Sequence, residues 1–438
     1  MRFLRTIERL TVAMLHLLAV TAYDLDPTNK AYKMMQYYPG NRTGGTPGIF
    51  GVPIFWWESG AIFGSLIDYW YYTGNSGYND VVSEAIRCQV GEEQNFMPSN
   101  QSHTMGNDDQ CFWALTAMAA AERNFANPRR QAAATRWDPR TCGGGLRWQT
   151  VAIADGYNYK NTISNGCFFN IAVRLARYTG NDPYAVWAEK TYDWLGDVKL
   201  INATTWDVHD DHQTATDCSD NREGLDDNRW SYNLGILLSG SVYLYNYTNG
   251  ESKWKHRVDG FLNATDFFFK AQPHYGIDGV LWEPQCERWG VCDIDQKSFK
   301  AYMSRFLALA AKMAPFTDRI MSKLRSSAIA AAKHWSGYTD GNTCGMKWTL
   351  DGEWDGTGDV GHQLSALETI QSNLIFHVQP PLTHVSPGAN RGSPGAGGAA
   401  ADEAVHWKAT MADEAGAWIL TAVVSAAVAG TAWWMAMN

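Results

Sequence analysis

The chain has 438 residues, with 36 Lys and Arg against 45 Asp and Glu, a net charge of -9, 45% hydrophobic residues and 20 tryptophans. The acidic balance and the lack of any Lys/Arg run exclude a nucleic-acid partner, because binding a polyanion takes a basic face that releases counterions. With only 18% charged residues the chain can bury a large core and is not a disordered polymer; the tryptophans suit either that core or stacking on sugar rings.

Residues 1–22, MRFLRTIERLTVAMLHLLAVTA, set three arginines before an apolar stretch that ends on small residues. That is the layout of a secretory signal peptide cut after Ala22. Helical periods then dominate as far as residue 379. WWESGAIFGSLIDYW starts at Trp56 and NDDQCFWALTAMAAAE at Asn107; SNGCFFNIAVRLARY follows near Asn165 and NRWSYNLGILLSGSVYLY at Asn228. DQKSFKAYMSRFLALAAK comes near Gln296 and GDVGHQLSALETIQSNL near Asp359. These six segments are apolar on nearly every side and recur at intervals of 51 to 68 residues.

Between several of them lie one-sided amphipathic segments: GYNDVVSEAIRC, DPYAVWAEKTYDWLG, KWKHRVDGFLNATDFFF and DRIMSKLRSSAIAAAKHW. A period of this size marks a repeated helical hairpin, and YTGN closes the first and third apolar helices. Apolar helices wrapped by amphipathic ones fit an all-α (α/α)6 toroid of six inner and six outer helices, one domain over residues 23–379. In such a ring the loops leading into the inner helices gather at one end and build a cleft.

The sharpest local pattern is Gly106-Asn107-Asp108-Asp109-Gln110 at the start of an otherwise apolar helix. Asn and Asp there serve as helix caps. Two carboxylates at one spot also serve a retaining glycosidase, which sets a nucleophile and an acid/base about 5–5.5 Å apart and splits their pKa values. Trp56 and Trp57, at the first inner helix, suit stacking on a sugar or core packing. Asp295 and Gln296 hold the same position in the fifth repeat, where capping is the default. Tyr232 and Asn233 either line the cleft or join the core. The eight cysteines include no C-x-x-C pair, and the eleven histidines form no ligand set, so no metal or other cofactor is expected. Up to four disulfides fit an oxidising compartment. Five N-x-S/T sequons, at Asn41, Asn100, Asn202, Asn246 and Asn263, fit the same route as glycosylation sites.

Pro380, Pro381, Pro387 and Pro394, with intervening Gly and Ala, mark a flexible linker and attachment region at 380–416. The tail, 417–438, holds 21 nearly uninterrupted apolar residues from Ala417 to Met437 with no basic residue after them. Small residues, a spacer and a terminal apolar tail form the GPI-attachment pattern, with the attachment residue between Gly395 and Ala401 and the tail removed. A retained single-pass anchor is the alternative. The expected location is the secretory pathway and then the outer face of the plasma membrane and the cell wall.

WWESGAIFG, NDDQCFWALTAMAAAE, CGGGLRWQ, YNYKNTISNGCFFNIAVRLARYTGN, RWSYNLGILLSG, CDIDQKSFKAYMSRFLA, CGMKW and GDVGHQLSALETIQSNLI together resemble family 76 glycoside hydrolases, the endo-α-1,6-mannanases. The resemblance is to their fungal GPI-anchored branch, which acts in cell-wall assembly. It implies that Asp108 is the nucleophile and Asp109 the acid/base of a double displacement. It also implies that Asp210 binds sugar, although WDVHDDHQ has His209 and Asp211 where the family has Tyr and Gly. The expected substrate is α-1,6-mannan or the mannose of a GPI glycan. Two other readings stand beside hydrolysis. One is a transglycosidase that moves GPI-anchored proteins from the GPI glycan to wall β-glucan as acceptor; the other is a mannan-binding protein without catalysis.

Overall fold

Eleven helices, among the described residues, arrange in two concentric layers. The computed structural model describes residues 24–102, 105–125, 136–214, 218, 224–272, 275–339, 341–350 and 354–386. The stretches expected as signal peptide and attachment window, most of the expected linker and the apolar tail lie outside them. Six helices form the inner ring: α2 (Trp56–Thr73), α4 (Asn107–Glu122), α5 (Thr162–Thr179), α7 (Ser231–Tyr247), α9 (Phe299–Met313) and α11 (Val360–Gln371). Each packs on the next, and α11 returns to α2, so the ring closes.

The inner helices are buried almost all round; in α7 every residue from Asn233 to Leu244 is buried. The outer layer is one-sided, as amphipathic periodicity requires. In α3 (Asn79–Gln89) only Val82, Ala85, Ile86 and Gln89 are buried. Outer helices α6 (Asp182–Asp197), α8 (Ser252–Ala264) and α10 (Thr317–Lys333) follow their inner partners. The YTGN repeat has a backbone cause: Gly74 and Gly180 adopt φ of 73° and 70° and end α2 and α5 in the left-handed conformation that glycine takes without strain.

Two features depart from the expected six-and-six arrangement. The outer partner of α11 comes from the start of the domain: α1 (Pro27–Met35) docks on it and buries Ala31 and Met34. The described residues between α4 and α5 form no outer helix, so they supply five outer helices rather than six.

All six inner helices point the same way, their first turns at one end, the mouth, and their last turns at the base. A buried ionic network crosses the ring toward the base. Asp68 of α2 pairs with Arg123, and with Arg305 of α9 at 2.7 Å; Arg305 also reaches Glu368 of α11 at 3.0 Å. Arg174 of α5 holds Glu122 of α4 at 2.7 Å, and Tyr243 of α7 donates to the same carboxylate at 3.0 Å. Charges buried this deeply persist only when paired.

The first residues of the stretch expected as linker are attached to this base. Leu382 N–H donates to Glu122 O at 2.8 Å, and Arg177 donates to the carbonyls of Pro381 and Leu382 at 3.0 and 3.1 Å. Proline composition suggested a free linker there, but backbone carbonyls facing a buried guanidinium hold the segment down. Of the four possible disulfides two form, Cys142–Cys218 and Cys286–Cys292; Cys88, Cys111, Cys167 and Cys344 are thiols.

Candidate active site

The first turn of α4 is stapled to a neighbouring loop before any chemistry is considered. Asn107 N–H donates to Trp148 O, and its side-chain amide to Arg147 O, both at 2.8 Å. Arg136 clamps the same turn by donating to Asn107 Oδ1 and Gln110 Oε1, both at 2.7 Å. Asp109 stands at the third position of the helix and accepts from Gly106 N–H, the one half of a capping box that a glycine N-cap permits. Capping and catalysis are therefore not exclusive here: one oxygen of Asp109 caps the helix, while the residue also lines the cavity.

Asp108 accepts from Trp148 Nε1–H at 3.0 Å and from the Asp109 backbone N–H at 3.1 Å. Trp148 is held in turn by stacking on Tyr159, ring centroids 5.1 Å apart and planes 17° apart. A methyl group on Gly106 would lie 2.3 Å from Asp108 Oδ1 and 2.9 Å from Asp109 Oδ2. Only glycine leaves room for both carboxylates, and the same distances bring those two oxygens within about 5 Å of each other, the scale of a retaining pair. Burial first, then the neighbouring Asp109, pushes the Asp108 carboxyl well above the usual range. Burial also raises Asp109, to about 6, against the lowering effect of the Gly106 N–H. Two carboxyls this close disfavour a second negative charge on the pair.

The adjoining wall comes from a two-stranded ribbon, β1 (Tyr159–Asn161) paired antiparallel with β2 (Asp211–Gln213), which meets the first through the Trp148–Tyr159 stack. Thr162 N–H donates to the Asp210 carbonyl at 2.7 Å, which fixes the backbone before β2. The Asp210 carboxylate is gripped by two side chains of the α7 start: Asn233 Nδ2 at 2.7 Å and Trp230 Nε1 at 3.2 Å. Burial lifts Asp210 to about 7 and Asp211 to about 6. Asp210, Asp211 and Asp226 each bring a carboxylate oxygen within 4.8 Å of the others.

Between these walls lies a cavity of about 200 Å³ that opens at the mouth. It is lined by Asp108, Asp109, Asp210, Asp211 and Asp295, with Trp57, Phe112, Trp148, Tyr159, Asn161 and Tyr232. Among the described residues, five carboxyls and no basic side chain line the space, amid aromatic surfaces suited to a sugar. Carboxyls pushed up by burial inside such a concavity mark a functional site.

A family model described as glycosyl hydrolase family 76 matches residues 24–385. The chain belongs to glycosyl hydrolase family 76. Among its relatives is the mannan endo-1,6-alpha-mannosidase DCW1 of Saccharomyces cerevisiae, 44% identical over 92% of this chain and 91% of that protein. The mannan endo-1,6-alpha-mannosidase DFG5 of the same yeast is 40% identical over 95% of each. A solved structure of Dfg5 from Chaetomium thermophilum in complex with glucosamine superposes with a TM-score of 0.79 at 40% identity, covering 87% of this chain and 97% of that one. An inactive variant of the alpha-1,6-mannanase GH76A of Salegentibacter sp. HEL1_6, in complex with alpha-1,6-mannotriose, shares the fold at 18% identity with a TM-score of 0.61, over 80% of this chain and 98% of that one.

As a family 76 glycoside hydrolase, the chain has its sequence-predicted residues distributed as follows. Asp108, Asp109, Asp210 and Trp57 converge on the cavity. Trp56 does not: it packs on Trp113, centroids 5.6 Å apart, and donates to Gln89 at 2.8 Å. Consecutive helical residues point about 100° apart, so one tryptophan faces the core layer while Trp57 packs on Phe112 at the cavity wall. Asp295 lines the cavity as well as capping Gln296 N–H. Tyr232 lines it too, stacked on Phe299 at 3.8 Å, and Asn233 supports Asp210. Trp148, Tyr159 and Asn161 carry no periodic pattern of their own; they fall within CGGGLRWQ and YNYKNTISNGCFFNIAVRLARYTGN, stretches that carry the family resemblance without singling these residues out. Of the sequon asparagines, Asn41, Asn100 and Asn263 are exposed and Asn202 and Asn246 half-buried.

Proposed function

We propose that the chain is a retaining, endo-acting α-1,6-mannosidase of the cell wall. The observation that carries this reading is the Asp108–Asp109 pair, two buried carboxyls side by side in the wall of an aromatic-lined cavity. Two N–H donors converge on Asp108 and favour its anion, but burial and the neighbouring Asp109 raise Asp108 further than Asp109; the reaction therefore needs the proton moved to Asp109, a shift that sugar binding must bring about. Asp108 then attacks the anomeric carbon as Asp109 gives its proton to the departing glycosidic oxygen, so the C1–O bond breaks and a mannosyl ester of Asp108 forms. Asp109, now ionised, takes a proton from water, whose oxygen attacks C1 and frees Asp108. Asp210, held by Asn233 and Trp230, presents a carboxyl to the sugar hydroxyls. The relatives named mannan endo-1,6-alpha-mannosidase, 40–44% identical, support the substrate.

A specific observation favours a second reading, in which a sugar hydroxyl replaces water. Mannan is uncharged, yet among the described residues five carboxyls and no basic side chain line the cavity. Such a site suits a glycan that carries an ammonium group, and the Chaetomium relative was solved with glucosamine bound. A GPI glycan contains both mannose and an amino sugar; its cleavage followed by attack from a β-glucan hydroxyl would transfer the attached protein to the wall. The location expected from the two ends, a GPI anchor at the plasma membrane and cell wall, suits either reading. A non-catalytic mannan-binding protein is disfavoured by an intact carboxyl pair with shifted titration. The deciding assay offers the purified chain an α-1,6-mannan oligosaccharide and a GPI-glycan donor, each with and without β-glucan, and identifies the products. Shortened mannan with retained anomeric configuration supports hydrolysis. A glucan-linked product supports transfer, and no product from any donor refutes both.

A further inference from the structure

We infer that Trp289 is a sugar-stacking platform on the rim of the cleft, taking a hexose of the mannan chain as it leaves the cavity. The inference rests on the mannosidase reading for its occupant. Trp289 is 68% exposed, more than any other tryptophan among the described residues. An indole offers a flat apolar face with a polar edge, the surface a sugar ring stacks on, and this one stands on a tightly bonded loop. It stands at the tip of a loop closed by the Cys286–Cys292 disulfide. Trp289 N–H and Val291 N–H both donate to Cys286 O at 3.2 Å, and Gly290 N–H to Glu287 O at 3.2 Å. Gly290 turns the tip with φ of 69°.

The root of the loop is fixed at the mouth. Glu283 accepts from Ser231 N–H at the start of α7 at 3.3 Å. Glu287 is fully buried and pairs with Lys300, in the first turn of α9, at 3.2 Å. Lys300 also donates to Met346 O and sits 3.7 Å over the Trp348 ring, so the loop before α11 is tied to the same point.

The course of the chain toward the cavity suggests the occupant. Asp295 lines the cavity and lies six residues beyond Trp289, a separation the backbone spans in at most about 20 Å. A chain of several hexoses bridges that distance. The Arg288 guanidinium lies over one face of the indole, 4.8 Å from the ring centroid, which leaves the other face for a sugar, and Lys347 stands near the Gly290 tip. One flat aromatic face flanked by hydrogen-bond donors matches a pyranose, with its apolar C–H face and hydroxyl rim, better than it matches an extended apolar protein surface.

The test uses the full chain with Asp108→Asn, so that binding is read without turnover, and compares it with the same chain carrying Trp289→Ala or Trp289→Phe. Calorimetric Kd values are measured for long α-1,6-mannan, for its trisaccharide and for linear β-glucan. The expected result is a Kd for long mannan about tenfold weaker in Trp289→Ala, or about 1.4 kcal/mol, with the ratio of long-chain to trisaccharide affinity falling by the same factor and largely restored in Trp289→Phe. An unchanged long-mannan Kd overturns the inference. So does an equal loss for trisaccharide and polymer, and so does a loss confined to β-glucan. If the native chain instead fails to cleave mannan, the mannosidase reading fails, while the binding comparison still judges Trp289.

Discussion

Replacing Trp148 by Phe removes one N–H and leaves an aromatic ring in place. The indole Nε1–H donates to Asp108 at 3.0 Å, while its ring stacks on Tyr159; phenylalanine keeps the stack and loses the donor. A hydrogen bond to a charged group contributes about 1.5–3 kcal/mol. If that bond is made to ionised Asp108 in the transition state, kcat/KM falls by about 10- to 150-fold. Loss of the donor also raises the pKa of Asp108 further, because an N–H directed at a carboxylate favours its anion. The acid limb of the pH–rate profile should therefore move to higher pH. The assay is reducing-end release from α-1,6-mannan across pH 4–9, beside a thermal melt. Unaltered melting with a lowered, shifted profile is the expected outcome. A kcat/KM within twofold of native and an unshifted limb would refute the positioning role of Trp148.

Two further outcomes follow from the fold. Arg305→Met leaves Asp68 and Glu368 buried without the cation they share, and breaking a buried pair in this way costs about 3–5 kcal/mol; chemical denaturation should read that loss, and a change below about 1 kcal/mol would contradict the network. Burial raises Glu58 and Glu283 to about 8, and Asp210 and Glu368 to about 7. Because the folded state holds these protons more tightly than the unfolded chain, their contribution is complete below the ordinary carboxyl range and is lost as pH rises through 7–8. Tm should be higher at pH 5 than at pH 8.5, and an equal or rising Tm would refute the raised values.

The inner ring was legible because a helix buried on every side must be apolar on every side, and six such segments stand out from the rest of the chain. Helix α1 was not: its nine residues include Lys30, whose burial depends on pairing with Asp24 and on the Trp335 ring, partners that no local pattern announces. At the site, Asp108 and Asp109 were legible as adjacent carboxyls at a helix start. The residues that hold them were not, because Trp148 reaches Asp108 only after Asn107 and Gly106 have joined their strand-like neighbours at 148 and 149. Asn233 looked like either core or cleft; a buried amide needs a partner, and the fold supplies Asp210. Trp56 and Trp57 were read together, and the helical turn between neighbouring residues separates them.

The central claim is that Asp108 forms a bond to the sugar. A 2-fluoro mannosyl donor with a good leaving group slows the second step and lets the ester accumulate, and peptide mass spectrometry then locates it. The account predicts one mannosyl adduct on Asp108 in the native chain, and none in Asp108→Asn. Label on Asp109, or turnover that inverts the anomeric configuration with no adduct on either residue, would contradict it.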